Sequence, residues 1–301
     1  MSRVAICTIS TSSHLFKVQA LFDGLSALTA ANMHCLVTSD LVPKTKNHIT
    51  YHGLDELKDQ TSQAIRAKYQ GNELRWACKP LFLKRLLDSG YDSVIYVDND
   101  VFFYASPDFL FDHLKSDNIL LTPHFYPADP KEDQFWLEAN FRVGLFNAGF
   151  IGVSKDASSA LEWWASCCAY NVKQSGWRGL FDDQKYLDLF PVLFEKVHIL
   201  KHAGCNVAGW NKKQSARSVD KNGALLLKEQ WPLVFIHFNV FTFRAIERGW
   251  DPLLLPYLRT YLDCLISFNP NFSNEQEIQL TLSDFFRYLR HLFWKLSRLA
   301  D

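Results

Sequence analysis

The stretch that most constrains the fold of this chain is residues 93–104, SVIYVDNDVFFY. Val94, Ile95, Tyr96 and Val97 run without interruption into Asp98-Asn99-Asp100. A short continuous apolar run of this kind reads as a strand buried on both faces, which belongs inside an α/β sheet. Ligands of such sheets gather beyond the carboxyl ends of the strands, where this run delivers two carboxylates at positions i and i+2. Neighbouring carboxylates repel one another unless a cation sits between them. A hard divalent ion relieves that repulsion and also binds phosphate oxygens. A bare D-x-D also arises in an ordinary polar turn, so the run needs support from elsewhere in the chain.

The remaining pattern agrees with an α/β chain. Residues 4–9 form a short β-favouring run that ends in the polar cluster 10–13. Residues 15–29 have helical periodicity, and 34–38 read as a second strand. This βαβ opening predicts a mixed, mainly parallel sheet flanked by helices. Residues 54–87 read as two helices joined at 76–80, with Pro80 in the first turn of the second. Further strands are expected at 119–122, 147–153, 197–200 and 233–238. The polar, aromatic stretches 125–142 and 209–221 read as long loops bordering a cleft. NPNFSN at 269–274 reads as a linker, dividing the chain into a catalytic domain, 1–268, and a helical segment, 275–301.

Composition excludes several classes. With 48% hydrophobic and 21% charged residues, the chain of 301 residues is globular. Its formal net charge of zero gives no support to a nucleic-acid partner. The seven cysteines are odd in number, have no C-x-x-C spacing and sit in apolar runs, as reduced core residues of an intracellular protein do. The first apolar run is too short for a signal peptide, and no run reaches the length of a membrane span. The expected location is cytoplasmic.

Three further motifs could carry chemistry. FNAGFIGVS (146–154) places Asn147 beside Ala148 and Gly149, which let a ligand approach the backbone; alone, it also reads as a core strand with a bulge. FDDQKYLDL (181–189) opens a helical pattern with Asp182, Asp183 and Gln184; alone, it is an acidic first turn suited to the helix dipole. LVFIHFN (233–239) ends a strand in His237. A strand-end histidine is an ordinary rim residue, and equally a ligand for Mn²⁺ beside carboxylates.

In combination, the order D-x-D, N-A-G, D-Q and strand-end His resembles the retaining GT-A glycosyltransferases of the glycogenin and lipooligosaccharide galactosyltransferase type. It is similar also to a bacterial group of nucleotide-diphospho-sugar transferases. WACKP (76–80), LTPH (121–124) and GCNVAGWN (204–211) add to the likeness, which extends over about residues 3–260. The resemblance implies a Rossmann-like GT-A fold and transfer of a sugar, with UDP the favoured nucleotide, to a glycan or lipid-linked glycan acceptor in surface polysaccharide synthesis. It implies Mn²⁺ or Mg²⁺ held by Asp98, Asp100 and His237. Lys79, Asp98 and Asn147 match donor-binding positions, as do Thr8 and Ser10 after the first strand. Asp183 and Gln184 match the catalytic pair facing sugar and acceptor. Lys185 departs from the usual D-Q-D, and HFNVFTF lacks the usual glycine and lysine after the histidine.

The rival readings are an aspartyl-phosphate phosphatase using the D-x-D, a sugar nucleotidyltransferase and a non-catalytic carbohydrate-binding protein. The first places its motif after the first strand of its core, and the second needs a glycine-rich loop that ISTSSHLFK lacks. Finally, residues 285–299 carry four Lys or Arg, no acid and apolar side chains at helical spacing. This predicts a C-terminal basic amphipathic helix. It is suited to an anionic membrane surface on the inner face of the cytoplasmic membrane, or to docking on protein.

Overall fold

The structure, a computed structural model, describes residues 2–39, 41–44 and 48–273. The expected C-terminal amphipathic helix, 275–301, lies outside the described residues.

The strands, in chain order, are β1 (Val4–Ser10), β2 (Asn32–Val37), β3 (Ile49–Gly53), β4 (Ser93–Val97), β5 (Val101–Phe103), β6 (Ile119–Pro123), β7 (Phe146–Ser154), β8 (Val197–Ile199), β9 (Arg217–Val219), β10 (Leu225–Leu227), β11 (Trp231–Pro232) and β12 (Phe235–His237). The α-helices are α1 (Leu15–Ser26), α2 (Gln60–Lys68), α3 (Gly71–Asp88), α4 (Asp108–His113), α5 (Gln134–Arg142), α6 (Ser158–Tyr170), α7 (Phe190–Leu193), α8 (Val240–Glu247) and α9 (Leu255–Phe268).

Among the described residues, seven strands form the central sheet in the order β3-β2-β1-β4-β7-β6-β8. All its pairings are parallel except those of β7, which is inserted antiparallel between β4 and β6. The sheet is thus mixed and mainly parallel, with helices on both faces. Every residue of β4 and of β7 is buried, as the uninterrupted apolar run at 94–97 requires. One face packs on α3 and α6 through Phe82, Leu83, Leu161 and Trp164. The other packs on α1 and α4 through Leu21, Phe22 and Leu110. A third apolar cluster joins α8 and α9 to the two-stranded ribbon β5–β12, through Phe102, Phe238, Phe243 and Tyr261.

Two features of this fold position the site. The antiparallel β5–β12 pairing sets His237 opposite Val101, and the Phe238 N–H donates to the Asp100 carbonyl at 2.8 Å. A histidine far along the chain is thereby laid beside the acidic pair. The second feature is a break in register: Leu121 pairs with Ile151, but Pro123 pairs with Phe146. Two steps along β6 therefore correspond to five along β7, so 147–150 bulges. Bulges re-aim side chains next to functional sites, and this one carries Asn147 and Gly149.

Several local expectations change. Pro80 does not start a helix: α3 runs through it, and the break falls at Tyr69–Gln70. Residues 77–83 of α3 are all buried, and burial against the sheet outweighs the backbone bond lost at a proline. The stretch 125–142 is not wholly irregular, because Asp133 caps α5 by accepting from the Trp136 N–H. β3, β5 and the small sheet β9–β11 are further strands. Their runs are too short to show a clear period. Cys7, Cys35, Cys78, Cys168 and Cys205 are buried core residues. No described helix is long and apolar enough to cross a membrane.

Candidate active site

At the carboxyl end of β4, Asp98, Asp100 and His237 converge. One ligand atom from each lies within 4.8 Å of the others. His237 Nε2 is 3.1 Å from Asp100 Oδ1 and 3.9 Å from Asp98 Oδ2. Adjacent ligands of an octahedral ion at about 2.1 Å stand about 3 Å apart, so the Asp100–His237 spacing already suits one. Gly149 forms the floor. A Cβ there would lie 2.5 Å from His237 Cε1 and 2.9 Å from Asp98 Oδ2, so the convergence depends on the missing side chain. The set of two carboxylates and one imidazole, in a pocket that excludes a methyl group, fits a divalent cation such as Mn²⁺ or Mg²⁺.

The histidine is oriented from behind. Its Nδ1 lies 3.3 Å from Asn206 Oδ1, and Asn206 Nδ2 in turn donates to Asn147 Oδ1 at 3.3 Å and Thr122 Oγ1 at 3.4 Å. A proton on Nδ1 leaves the Nε2 lone pair aimed at the acids, the arrangement that outer partners give metal-bound histidines. Asn206 is fully buried and has a positive φ of 58°, which asparagine tolerates better than most residues. Burial pushes the His237 pKa down, but Asp100 and then Asp98 outweigh it and leave it raised. Burial pushes Asp100 up, and His237 more than reverses this and holds the carboxyl well below the usual carboxylate range.

Beneath the acids lies Lys79. Its Nζ is 3.1 Å from Asp183 Oδ2 and 3.4 Å from Asp98 Oδ1, and it donates to the Ala148 carbonyl at 3.0 Å. Burial lowers the Lys79 pKa, yet Asp183 and Asp98 prevail and hold it above the usual lysine range. Asp98 Oδ1 also accepts from the Tyr96 hydroxyl at 2.6 Å. Asp183 is buried, and the Trp164 indole donates to its backbone carbonyl at 2.9 Å. Asp182 is buried too, at a positive φ of 42°. Burial and the adjoining Asp183 push its carboxyl up, against a smaller pull from Lys79.

A polar strip leads away from the acids. Asn147 Oδ1 accepts from the Gly149 N–H at 3.1 Å, which turns Asn147 Nδ2 toward His124 Nε2 at 3.2 Å and Gln184 Oε1 at 3.5 Å. His124 donates through Nδ1 to the Gly144 carbonyl at 2.9 Å, and burial depresses its pKa to about 3, so it stays neutral and accepts. Gln184 opens a 3₁₀ helix, 184–189, rather than a regular α-helix, because Asp182 Oδ1 holds the Gln184 N–H in a tight turn.

On the other side of the acids is a cavity of about 140 Å³ lined by Ile9, Arg75, Trp76, Tyr96, Asp98, Asn99 and Asp100. Of the two positions expected there from β1, Thr8 is fully buried and Ser10 is fully buried with its hydroxyl accepting from Asn99 at 3.0 Å. The residue of β1 that reaches the cavity is Ile9. Strand alternation explains this, since neighbours on a strand face opposite ways.

All the expected site residues except Thr8 and Ser10 thus gather in one continuous network. Sequence reasoning missed Arg75, Trp76, Asn99, His124 and Asn206. WACKP, LTPH and GCNVAGWN carried Trp76, His124 and Asn206 only as similarity, since a single side chain of this kind has no periodic signal.

No known family profile matches the sequence. Two Bacillus subtilis proteins are similar to it over most of their length. The uncharacterized protein YfnF is 29% identical over 255 residues, covering 81% of this chain and 83% of that one. The uncharacterized protein YfnD is 27% identical over 255 residues, covering 80% and 79%. Among solved structures, the galactosyltransferase LgtC, determined with donor and acceptor sugar analogs, superposes with a TM-score of 0.57 at 12% identity. The superposition covers 91% of this chain and all of that one. The fold is GT-A. Mouse xyloside xylosyltransferase 1 superposes with a TM-score of 0.50 at 14% identity, covering 79% of this chain and 98% of that one. The Streptococcus pneumoniae glycosyltransferase GlyE also gives 0.50, at 13% identity, covering 87% and 63%.

Proposed function

We propose that the protein is a glycosyltransferase that moves a sugar from a nucleotide-diphosphate sugar, UDP by preference, to a glycan or glycolipid acceptor of surface polysaccharide synthesis. The observation that carries this reading is the convergence of Asp98, Asp100 and His237 over Gly149, beside the Trp76–Arg75 cavity on a GT-A sheet. Asp98, Asp100 and His237 would hold Mn²⁺ or Mg²⁺. When bound, the ion supplies positive charge to the leaving diphosphate as a Lewis acid.

The chain's own groups do the rest. Trp76 and Arg75 offer an aromatic face and a guanidinium to the base and ribose in the cavity. Lys79 was expected to contact the donor. Its ammonium is engaged by two carboxylates and a carbonyl, so its part is to hold Asp98 and Asp183 in place. Asn147 and Gln184 present amides to the sugar at the far side of the acids, with His124 and Asn206 fixing which way the Asn147 amide faces. Asp183 sets a negative charge beneath the sugar site, where an oxocarbenium-like centre develops positive charge. We take the transfer to proceed with retention, on the likeness of the motif order alone.

The test is a panel of nucleotide sugars with Mn²⁺, reading released nucleotide and the anomeric configuration of the product. The expected result is turnover with one donor. Asp98→Ala and Asp100→Ala should abolish transfer and metal-dependent nucleotide binding while circular dichroism stays native. Full activity of both variants in excess chelator would overturn the metal assignment. Tight sugar binding without nucleotide release from any donor would favour a carbohydrate-binding protein instead.

A further inference from the structure

Away from the candidate active site, on the α4 side of the edge strand β8, a second set of ligands converges. His113 ends α4, Asp117 lies in the turn that follows, and His198 sits in β8. One ligand atom from each lies within 4.8 Å of the others. We propose that His113, Asp117 and His198 bind a zinc ion that clamps the edge strand β8 to the α4–β6 turn.

The geometry carries the assignment. His198 Nδ1 is 3.4 Å from Asp117 Oδ2. Two ligands of a tetrahedral zinc ion, each at about 2.0–2.1 Å, stand about 3.3–3.4 Å apart. The same distance is long for a hydrogen bond. The two imidazoles lie 4.3 Å apart between centroids, tilted by 39°. Rings so placed repel when both are protonated, whereas neutral imidazoles can turn their lone pairs to one cation. Two nitrogens and one oxygen make a borderline-soft set that suits Zn²⁺ over Mg²⁺. All three side chains are partly exposed, so an ion can enter from solvent, and water completes the fourth position.

The backbone prepares the cluster and gives it a use. The Asp117 N–H donates to the His113 carbonyl at 3.0 Å, closing the turn that sets the two side chains together. The Asn118 and Ile119 N–H groups both reach the Lys196 carbonyl, which brings β8 alongside. β8 has only three residues, all of them half-buried, and among the described residues it pairs on one side with β6 alone. A metal link would strengthen this weak edge. The chain that leaves β8 leads through His202 to Asn206, which orients His237.

The experiment uses the full chain, stripped with chelator and returned to saturating Mg²⁺ so that the Asp98–Asp100–His237 site is filled. Zinc chloride is then titrated by calorimetry, with a parallel thermal melt. One equivalent should bind and raise the melting temperature. His198→Ala and Asp117→Asn should weaken zinc binding at least tenfold and abolish the thermal shift, whereas His237→Ala should keep both. Co²⁺ added to the native protein should broaden the His113 and His198 imidazole resonances in addition to that of His237 at the Asp98–Asp100 site, a readout that needs no variant. Zinc uptake unchanged in His198→Ala, lost in His237→Ala, or absent at micromolar zinc would overturn the proposal. So would broadening confined to other histidines.

Discussion

Lys79 offers the sharpest test of how the site is held together. Its side chain is 3% exposed and that of its partner Asp183 is 2% exposed, with 3.1 Å between them. At that distance, with an effective dielectric of about 20, the attraction is on the order of 5 kcal/mol. Desolvating both groups consumes much of it. Removing the lysine alone leaves Asp183 buried without its cation, and losses of this kind are about 3–5 kcal/mol. Lys79→Met keeps the bulk of the aliphatic stem and deletes the charge. The expected outcome in urea unfolding, followed by tryptophan fluorescence at pH 8, is therefore a loss of about 3–5 kcal/mol. Adding Asp183→Asn removes the orphaned charge, so the double variant should recover at least about half of that loss. The loss in the single variant should also shrink as pH falls toward 5, because Asp183 then takes up a proton. A loss below about 1 kcal/mol for Lys79→Met, the level of an exposed pair, would refute this account. So would a double variant no more stable than the single one.

Gly149→Ala should weaken Mn²⁺-dependent nucleotide binding at least tenfold with the fold retained, since its Cβ would intrude on His237 and Asp98; isothermal titration with Mn²⁺ checks it. Asn206→Ala frees the His237 ring and should cost about 10–100-fold in metal affinity, read by the same titration. Asp182 has its pKa raised to about 7 in the fold against an ordinary 3.8. Its carboxyl therefore favours folding while protonated, and that contribution fades as pH rises through about 7. Asp182→Asn should accordingly leave the melting temperature unchanged near pH 4 and raise it at pH 8, in melts across that range. Residues 285–299 carry four cations and no acid. We expect the full chain to co-sediment with anionic liposomes at low salt and a chain ending at Asn274 to remain in the supernatant; equal partitioning would refute membrane attachment.

What the sequence determined by itself was what local chemistry and period can encode. The uninterrupted run 94–97 specified a strand buried on both faces, and β4 is such a strand. The βαβ opening specified parallel pairing of β1 with β2. The acidic pair after β4, and a histidine closing a late apolar run, were visible as residue types in suitable positions. The tertiary structure alone decided what those residues meet. No local pattern announces that β5 pairs with β12, yet that pairing brings His237 to Asp100. The bulge in β7 arises from a mismatch with β6, which neither strand reveals alone. Pro80 read as a helix start because propensity is local, while its burial against the sheet is not. Lys79 read, by resemblance, as a basic residue that contacts the donor, and only packing revealed that its ammonium lies between buried Asp183 and half-exposed Asp98. Side-chain identity and spacing travel with the chain, whereas the partners of a buried charge are set by which distant segments the fold brings within a few ångströms of it.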